Sequence, residues 1–305
     1  MSKLLEGGSK VLFGPYGSVL QERREKLGVP DLQNSSRIVD GGIYREQTLN
    51  IAKDYLLAGA DVATTNTFGA RAHLRHGNAE LYREVVQAQI DVTMEALNGH
   101  SGKNLLVTFG PYGVDNKGCY NLREAPGDSY EARDFHEQQF AVVRDLARKG
   151  LIDAVVVETI STGREALGVA LAAKKLGVPI IPSFWVDATG NLKTGDKLSD
   201  VLRHIDGVTG NYPLGYSVNC CPLDGAKEAI SHANGKRDRI MMAYPNASDA
   251  DPSTLEEIDG AVSVRDHHTT AAQLVDMTKI SSLRVIGGCC GFDQEAIRVI
   301  VGASA

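Results

Sequence analysis

Two adjacent cysteines, Cys289 and Cys290, stand in a stretch made otherwise of glycine, Gly287-Gly288-Cys289-Cys290-Gly291. Adjacent residues on an extended chain point opposite ways. Glycine lets the backbone turn sharply enough for both sulfurs to face one point. Such a pair suits a metal ion better than a disulfide, because consecutive cysteines bridge each other only with strain. A third sulfur comes from Cys220, in Val218-Asn219-Cys220-Cys221. Three thiolates form a soft donor set that favours zinc among common cytosolic ions. They leave a fourth position open, as catalytic rather than structural sites do. Cys221 or Cys119 could complete a closed four-thiolate site, but each reads better as a buried apolar thiol. A vicinal redox dithiol at Cys289 and Cys290 is the competing chemistry.

These cysteines need elements to bring them together. Eight short apolar runs are legible: Lys10–Phe13, Asp61–Thr65, Leu105–Phe109, Asp153–Val157, Ile180–Phe184, Leu214–Val218, Arg239–Ala243 and Leu283–Ile286. Helical patterns follow most of them, at Gln47–Leu57, Glu80–Leu97, Ala132–Arg148, Gly163–Lys175, Leu198–Ile205, Gly225–His232, Thr269–Met277 and Phe292–Val301. In Glu80–Leu97, Tyr82, Val85, Val86, Ile90, Met94 and Leu97 share a face. Strands alternating with helices imply right-handed βαβ units and a parallel sheet. Eight of them imply a closed (β/α)8 TIM barrel, one domain over residues 1–305, with its site at the C-terminal ends of the strands. An open doubly wound sheet is the competitor, and no GxGxxG follows the first strand to support it. Polar or unusual residues gather at strand ends: Thr65-Asn66-Thr67-Phe68, Gly110-Pro111-Tyr112-Gly113, Glu158-Thr159, Asn219-Cys220, Tyr244-Pro245-Asn246 and Cys289-Cys290. That concentration points to an enzyme.

The composition fits an ordinary globular protein, with 43% hydrophobic and 23% charged residues over 305 positions. A formal net charge of −6 and the lack of a basic stripe argue against nucleic-acid or anionic-membrane binding. No apolar run approaches the ~20 residues of a membrane span, and the first residues lack a signal-peptide core. The expectation is a cytoplasmic protein, whose five cysteines serve as thiols or metal ligands rather than a disulfide framework.

At these residues the chain resembles the homocysteine S-methyltransferase family, the zinc barrel that also forms the first module of cobalamin-dependent methionine synthase. The resemblance covers nearly the whole chain. It is strongest at Gly287–Gly291 and at Val218-Asn219-Cys220 with Pro222, and extends to Asp61–Phe68, Gly110–Gly113, Glu158-Thr159 and Ala243-Tyr244-Pro245-Asn246. The resemblance implies zinc held by Cys220, Cys289 and Cys290, and an acceptor thiol, homocysteine in most members, at the open position. It implies that Glu158 binds the acceptor's ammonium group and belongs with the thiolates in the catalytic set. A structural alternative for Glu158 is an ion pair with a barrel arginine. A free thiol with a pKa of about 8.5 is mostly protonated at neutral pH, and zinc coordination deprotonates it. A methyl donor then gives up its methyl group to the thiolate. Thr65 and Asn66, at the end of the second strand, line the pocket. Asn219 orients the site from beside a ligand. Phe68, Tyr112, Trp185 and Tyr244 are candidates to hold a cationic methyl group, or simply to pack the rim. S-methylmethionine, S-adenosylmethionine, betaines and methylated corrinoid or folate carriers stay open as donors, and so does a homo-oligomer or a separate methyl-carrier protein.

One motif departs from the family. Members carry Asp-Gly-Gly-x-Gly-Thr after the first strand, and the aspartate helps bind the amino group of homocysteine. Here the matching stretch is Phe13-Gly14-Pro15-Tyr16-Gly17-Ser18. A phenyl ring cannot accept a charge-assisted hydrogen bond and offers only a weaker cation–π contact. The expectation is an altered acceptor site at Phe13: homocysteine held differently, or a thiol without an α-amino group there. Asp40-Gly41-Gly42 resembles the missing motif only as a turn signal before the first long helix. Two alternatives follow, a methyltransferase or demethylase of the same fold with another acceptor or carrier, and a zinc-binding barrel without catalysis.

Overall fold

Residues 4, 6–32, 34–113, 125–233, 235–247, 267–280 and 282–304 are described by the computed structural model. Cys119, and the loop beyond 247 that follows the seventh strand, lie outside the described residues. The strands are β1 (Lys10–Val11), β2 (Val62–Thr64), β3 (Asn104–Phe109), β4 (Ala154–Ile160), β5 (Ile180–Phe184), β6 (Tyr216–Asn219), β7 (Ile240–Tyr244) and β8 (Val285–Ile286). All pair in parallel in the order β1-β8-β7-β6-β5-β4-β3-β2. The ring closes where Leu12 bridges Val62 and the Phe13 amide donates to Val62 O at 2.9 Å. This is the expected TIM barrel.

Side-chain alternation along the strands builds two apolar layers. Leu12, Val62, Leu106, Ala154, Val156, Ile181, Met242 and Val285 fill the barrel, joined by Leu4. Val11, Val107, Val155, Val157, Ile180, Val218 and Ile286 face the helices. Layers of branched side chains make the interior a packed core rather than a pore. That leaves the rim at the strand C-termini as the place for chemistry.

Most helices match the sequence pattern with shifted ends. The first long helix begins at Gly42 and runs to Leu57 (α2), after Gly41 and Gly42 turn the chain with φ of 66° and 49°. A preceding helix, Tyr16–Leu27 (α1), was not anticipated. Arg71–Arg75 (α3) is a short helix before Ala79–Leu97 (α4), whose Tyr82, Val85, Val86 and Ile90 are buried as expected. The expected Ala132–Arg148 helix is two, Ser129–Ala141 (α5) and Arg144–Arg148 (α6). The fourth strand runs on through Glu158, so that residue belongs to β4 rather than following it. Pro182 of β5 pairs with Val157 in the ladder to β4; the register shift lies beyond it, between Val157 and Ile160.

Gly163–Leu176 (α7) packs most closely on α5. A Cβ at Gly168 would lie 2.5 Å from Ala132 Cβ and 2.7 Å from Ser129 O. Neither backbone nor a methyl stub can step aside, so Gly168→Ala is expected to lower stability by about 2 kcal/mol through overpacking, seen as a lower urea midpoint with unchanged slope. Among the described residues no helix is long and apolar enough to cross a membrane.

Candidate functional site

Three sulfurs converge at the rim. Cys220 follows β6, and Cys289 and Cys290 follow β8; their Sγ atoms all lie within 4.8 Å of one another. Cys220 Sγ and Cys290 Sγ are 3.8 Å apart. Tetrahedral zinc with Zn–S bonds near 2.3 Å requires sulfurs ~3.8 Å apart, so the residues fit the metal. Among the described residues no other group of three such ligands converges.

The backbone is built around this point. Cys220 adopts φ 52°, a left-handed conformation rare for a side chain of this kind. Its amide donates to Tyr244 O, the Cys289 amide to Pro245 O at 2.8 Å, and the Cys290 amide to Asn246 Oδ1 at 3.2 Å. Ala247 N donates back to Cys290 O. The loop after β7 therefore clamps both cysteine loops. Gly288 has to be glycine, because a Cβ there would collide with the Phe292 ring. The neighbouring thiols of Cys220 and Cys289 hold the Cys290 pKa well below the usual thiol range. Cys221 points the other way, into the layer under the helices, where burial pushes its thiol up to about 12. It is the apolar cysteine the sequence suggested.

One cavity of about 730 Å³ joins the sulfurs to the predicted pocket residues: Phe13, Thr65, Asn66, Phe68, Glu158, Asn219 and Tyr244 all border it. A larger, shallower groove of about 1290 Å³ lies at the opposite face, between the turns that lead into β3 and β4. It is the N-terminal end of the barrel, where stability rather than chemistry resides.

Glu158 projects towards the cavity from β4, and Tyr244 Oη donates to its Oε1 at 3.1 Å. Among the described residues no arginine pairs with it, contrary to the structural alternative. Burial raises its pKa to about 7, partly offset by the Tyr244 bond, and charge on Cys290 adds to the rise. A folded-state pKa above the unfolded carboxylate value means that the native state holds the proton more tightly. Stability of the metal-free protein should fall as pH rises from about 4.5 to about 7, then level off. Glu158→Gln is expected to remove that slope, adding roughly 3 kcal/mol at pH 8 and almost nothing at pH 4.5. Urea unfolding at both pH values checks it.

Asn219 spends its amide on the neighbours of Glu158. Its Oδ1 accepts from Thr159 N at 2.9 Å and Ser183 Oγ at 2.6 Å, and its Nδ2 donates to Thr159 Oγ1 at 3.0 Å. These bonds hold Thr159 at φ 62°. Thr65 is similarly engaged: Oγ1 meets Thr67 Oγ1 at 2.7 Å and accepts from Thr108 N at 3.1 Å. Both shape the wall more than they offer free groups to a ligand.

Of the aromatic candidates, Phe68 and Tyr244 border the cavity. Arg71 lies over Phe68 at 4.5 Å, Arg75 over Tyr112 at 5.2 Å and Lys193 over Trp185 at 4.7 Å. Each ring already has an internal cation on a face. Tyr112 and Trp185 are not among the residues bordering the cavity. Tyr244 gives its hydroxyl to Glu158. The rings do not assemble into an open cage for a cationic methyl group. Phe13 borders the cavity, yet its ring packs against Tyr55, with centroids 5.5 Å apart, in the layer under the helices.

Sequence reasoning passed over Ser18, Arg71, His73 and His76, which also border the cavity. Ser18 was visible in the altered first motif. Arg71 and His73 sit on the short helix α3 and His76 caps its C-terminus; one lone turn carries little periodicity to mark it.

The fold and the three-sulfur rim define a TIM barrel with a cysteine cluster at the C-terminal ends of its strands. The chain belongs to the homocysteine S-methyltransferase family, whose model matches residues 10–303, and it is an S-methyltransferase. In fold it is similar to the homocysteine methyltransferase MmuM from Escherichia coli. The oxidized form of that protein superposes with a TM-score of 0.75 at 19% identity, covering 97% of this chain and 96% of the other. The metallated form gives 0.72 at 18% identity, covering 98% of each.

Proposed function

We propose that the protein binds zinc through Cys220, Cys289 and Cys290 and methylates a thiol acceptor there, with homocysteine the leading acceptor and methionine the product. The observation that carries this reading is the convergence of the three sulfurs and Glu158 on one cavity. Membership of the family and the likeness in fold to the homocysteine methyltransferase MmuM support it. Zinc, when bound, supplies the charge that lets a thiol at the open position exist as thiolate at neutral pH. The three cysteines fix where that sulfur sits. Glu158, with Tyr244 donating to it, accepts hydrogen bonds from the acceptor's ammonium, which in turn favours its ionised form. In the transfer, the new S–CH₃ bond forms as the donor's bond to methyl breaks, and that electron pair leaves with the donor. An onium donor departs neutral and needs no acid. Charge is lost in that step, so the enclosed cavity favours it.

A second reading keeps the chemistry and changes the acceptor to a thiol without an α-amino group, because no acid stands at position 13. Thiolate ligands suit a reducing compartment, so the cytoplasm is the proposed location. The test is product formation by zinc-loaded protein given L-homocysteine with S-methylmethionine, S-adenosylmethionine or betaine in turn. Methionine from at least one donor is expected. Its absence with all three, while another thiol is methylated, would select the second reading.

A further inference from the structure

His136 of α5 and Glu165 of α7 form a buried ionisable pair that does not border the cavity. Their side chains are 0% and 1% exposed, and His136 Nε2 lies 3.2 Å from Glu165 Oε1. The other ring nitrogen, Nδ1, meets Gln139 Oε1 at 2.7 Å. Taking such a pair out of water is costly, which makes it weak evidence for stability. What the pair holds is the better guide to its use.

It holds the chain just beyond β3. Glu165 Oε1 also accepts from the Tyr112 amide at 2.5 Å, and Gln139 Nε2 donates to Gly110 O at 3.3 Å. The other side of this loop supports α3. Arg75 donates to Tyr112 O at 3.0 Å and lies over the Tyr112 ring. Gly110 is packed so closely that a Cβ there would lie 2.6 Å from Phe68 O and 2.8 Å from Arg71 Cδ. Phe68, Arg71, His73 and His76 border the cavity. A helix as short as α3 has little stability of its own, so its place depends on what it rests against.

We propose that His136 and Glu165 are positioning residues for the methyl donor. Through the Tyr112 amide they fix the loop after β3, and that loop fixes the cavity wall from Phe68 to His76. This rests on the thiol-acceptor reading above, in which the acceptor fills the part of the cavity at the sulfurs and Glu158 and leaves that wall to the donor.

His136→Phe combined with Glu165→Met replaces the pair by apolar side chains of similar size, where Phe135 and Phe140 already flank the ring. Such replacements are often neutral for stability. The double variant is expected to keep a near wild-type urea midpoint and one zinc per chain. Its KM for the donor that wild type uses, among S-methylmethionine, S-adenosylmethionine and betaine, should rise about tenfold, because slight misplacement from a distant change is that costly. Its KM for L-homocysteine should not move. Glu165→Gln keeps an oxygen for the Tyr112 amide and should keep both constants. Arg75→Met cuts the link to α3 at an exposed residue and should reproduce the rise in donor KM, which decides the matter if the double variant does not fold. Exchange of the Tyr112 amide, followed by NMR, should be slow in wild type and Glu165→Gln and fast in the double variant. An unchanged donor KM in either the double variant or Arg75→Met, an equal rise in both KM values, or a rapidly exchanging Tyr112 amide in wild type overturns the assignment. If wild type turns over no donor, the methyl-transfer reading falls and the donor role falls with it, while the Tyr112 exchange still decides whether the pair holds the loop.

Discussion

Cys289→Ser is expected to abolish methyl transfer and to lower zinc affinity by at least about a hundredfold. Groups that merely orient a ligand are worth 10–100-fold in metal affinity, and a lost ligand should cost no less. Serine keeps the size of the side chain but cannot supply a thiolate, since its hydroxyl does not ionise near neutral pH. The remaining sulfurs, Cys220 and Cys290, stand 3.8 Å apart, a pair rather than a three-point seat. Cys221→Ser is the control. Its side chain is fully buried in the layer under the helices, so the variant should keep its zinc and its turnover while losing about 1–3 kcal/mol of stability to a buried hydroxyl. Zinc per chain by elemental analysis, with initial rates, separates the two. Wild-type protein that holds one zinc per chain yet turns over no donor would favour the non-catalytic barrel.

The sulfur site was legible because it depends on few things. Strand ends of a closed barrel share a rim, and the glycines around Cys289 and Cys290 announce a tight turn. Glu158 was legible as a site residue, although the strand carries on past it to Ile160. Helix α1 was not legible. Its run Gln21-Glu22-Arg23-Arg24-Glu25-Lys26 shows no apolar stripe, and only Tyr16, Val19 and Leu20 are buried. The helix rests on a few contacts at its start, so periodicity had little to report. The cations over the aromatic candidates were not legible for another reason. Arg71 is three residues from Phe68 and could be paired with it by helical spacing, but Arg75 with Tyr112 and Lys193 with Trp185 are pairings that only the fold creates. The meeting of His136 with Glu165 is likewise invisible in sequence, because only the packing of α5 on α7 creates it.

Phe13→Asp, which the family motif invites as a repair, is expected to damage the fold instead of restoring an acceptor contact. Along this stretch Leu12 belongs to the barrel interior, whereas Val11 and Phe13 belong to the layer under the helices. The Phe13 ring is 1% exposed and packs against Tyr55, which in turn packs on Tyr16. A carboxylate there would find the nearby hydroxyls occupied, because Tyr55 Oη donates to Pro15 O at 2.9 Å and Tyr16 Oη to Thr64 O. The chain has no slack for a shift, since a Cβ at Gly14 would already lie 2.7 Å from Tyr55 Oη. Losing a buried phenyl group costs about 3–5 kcal/mol, before the added penalty for a buried polar group without a partner. That is a large part of the 5–15 kcal/mol available to a typical domain. The expected result is a much lower urea midpoint and no fall in KM for L-homocysteine in whatever remains folded. A variant with the wild-type midpoint and a lower KM would show that the side chain at position 13 can turn into the cavity, and would return recognition of the amino group to the first strand. Otherwise the aromatic packing that closes this position also explains why an acid is absent from it: the wall is held by rings, with Phe13 on Tyr55 and Tyr55 on Tyr16.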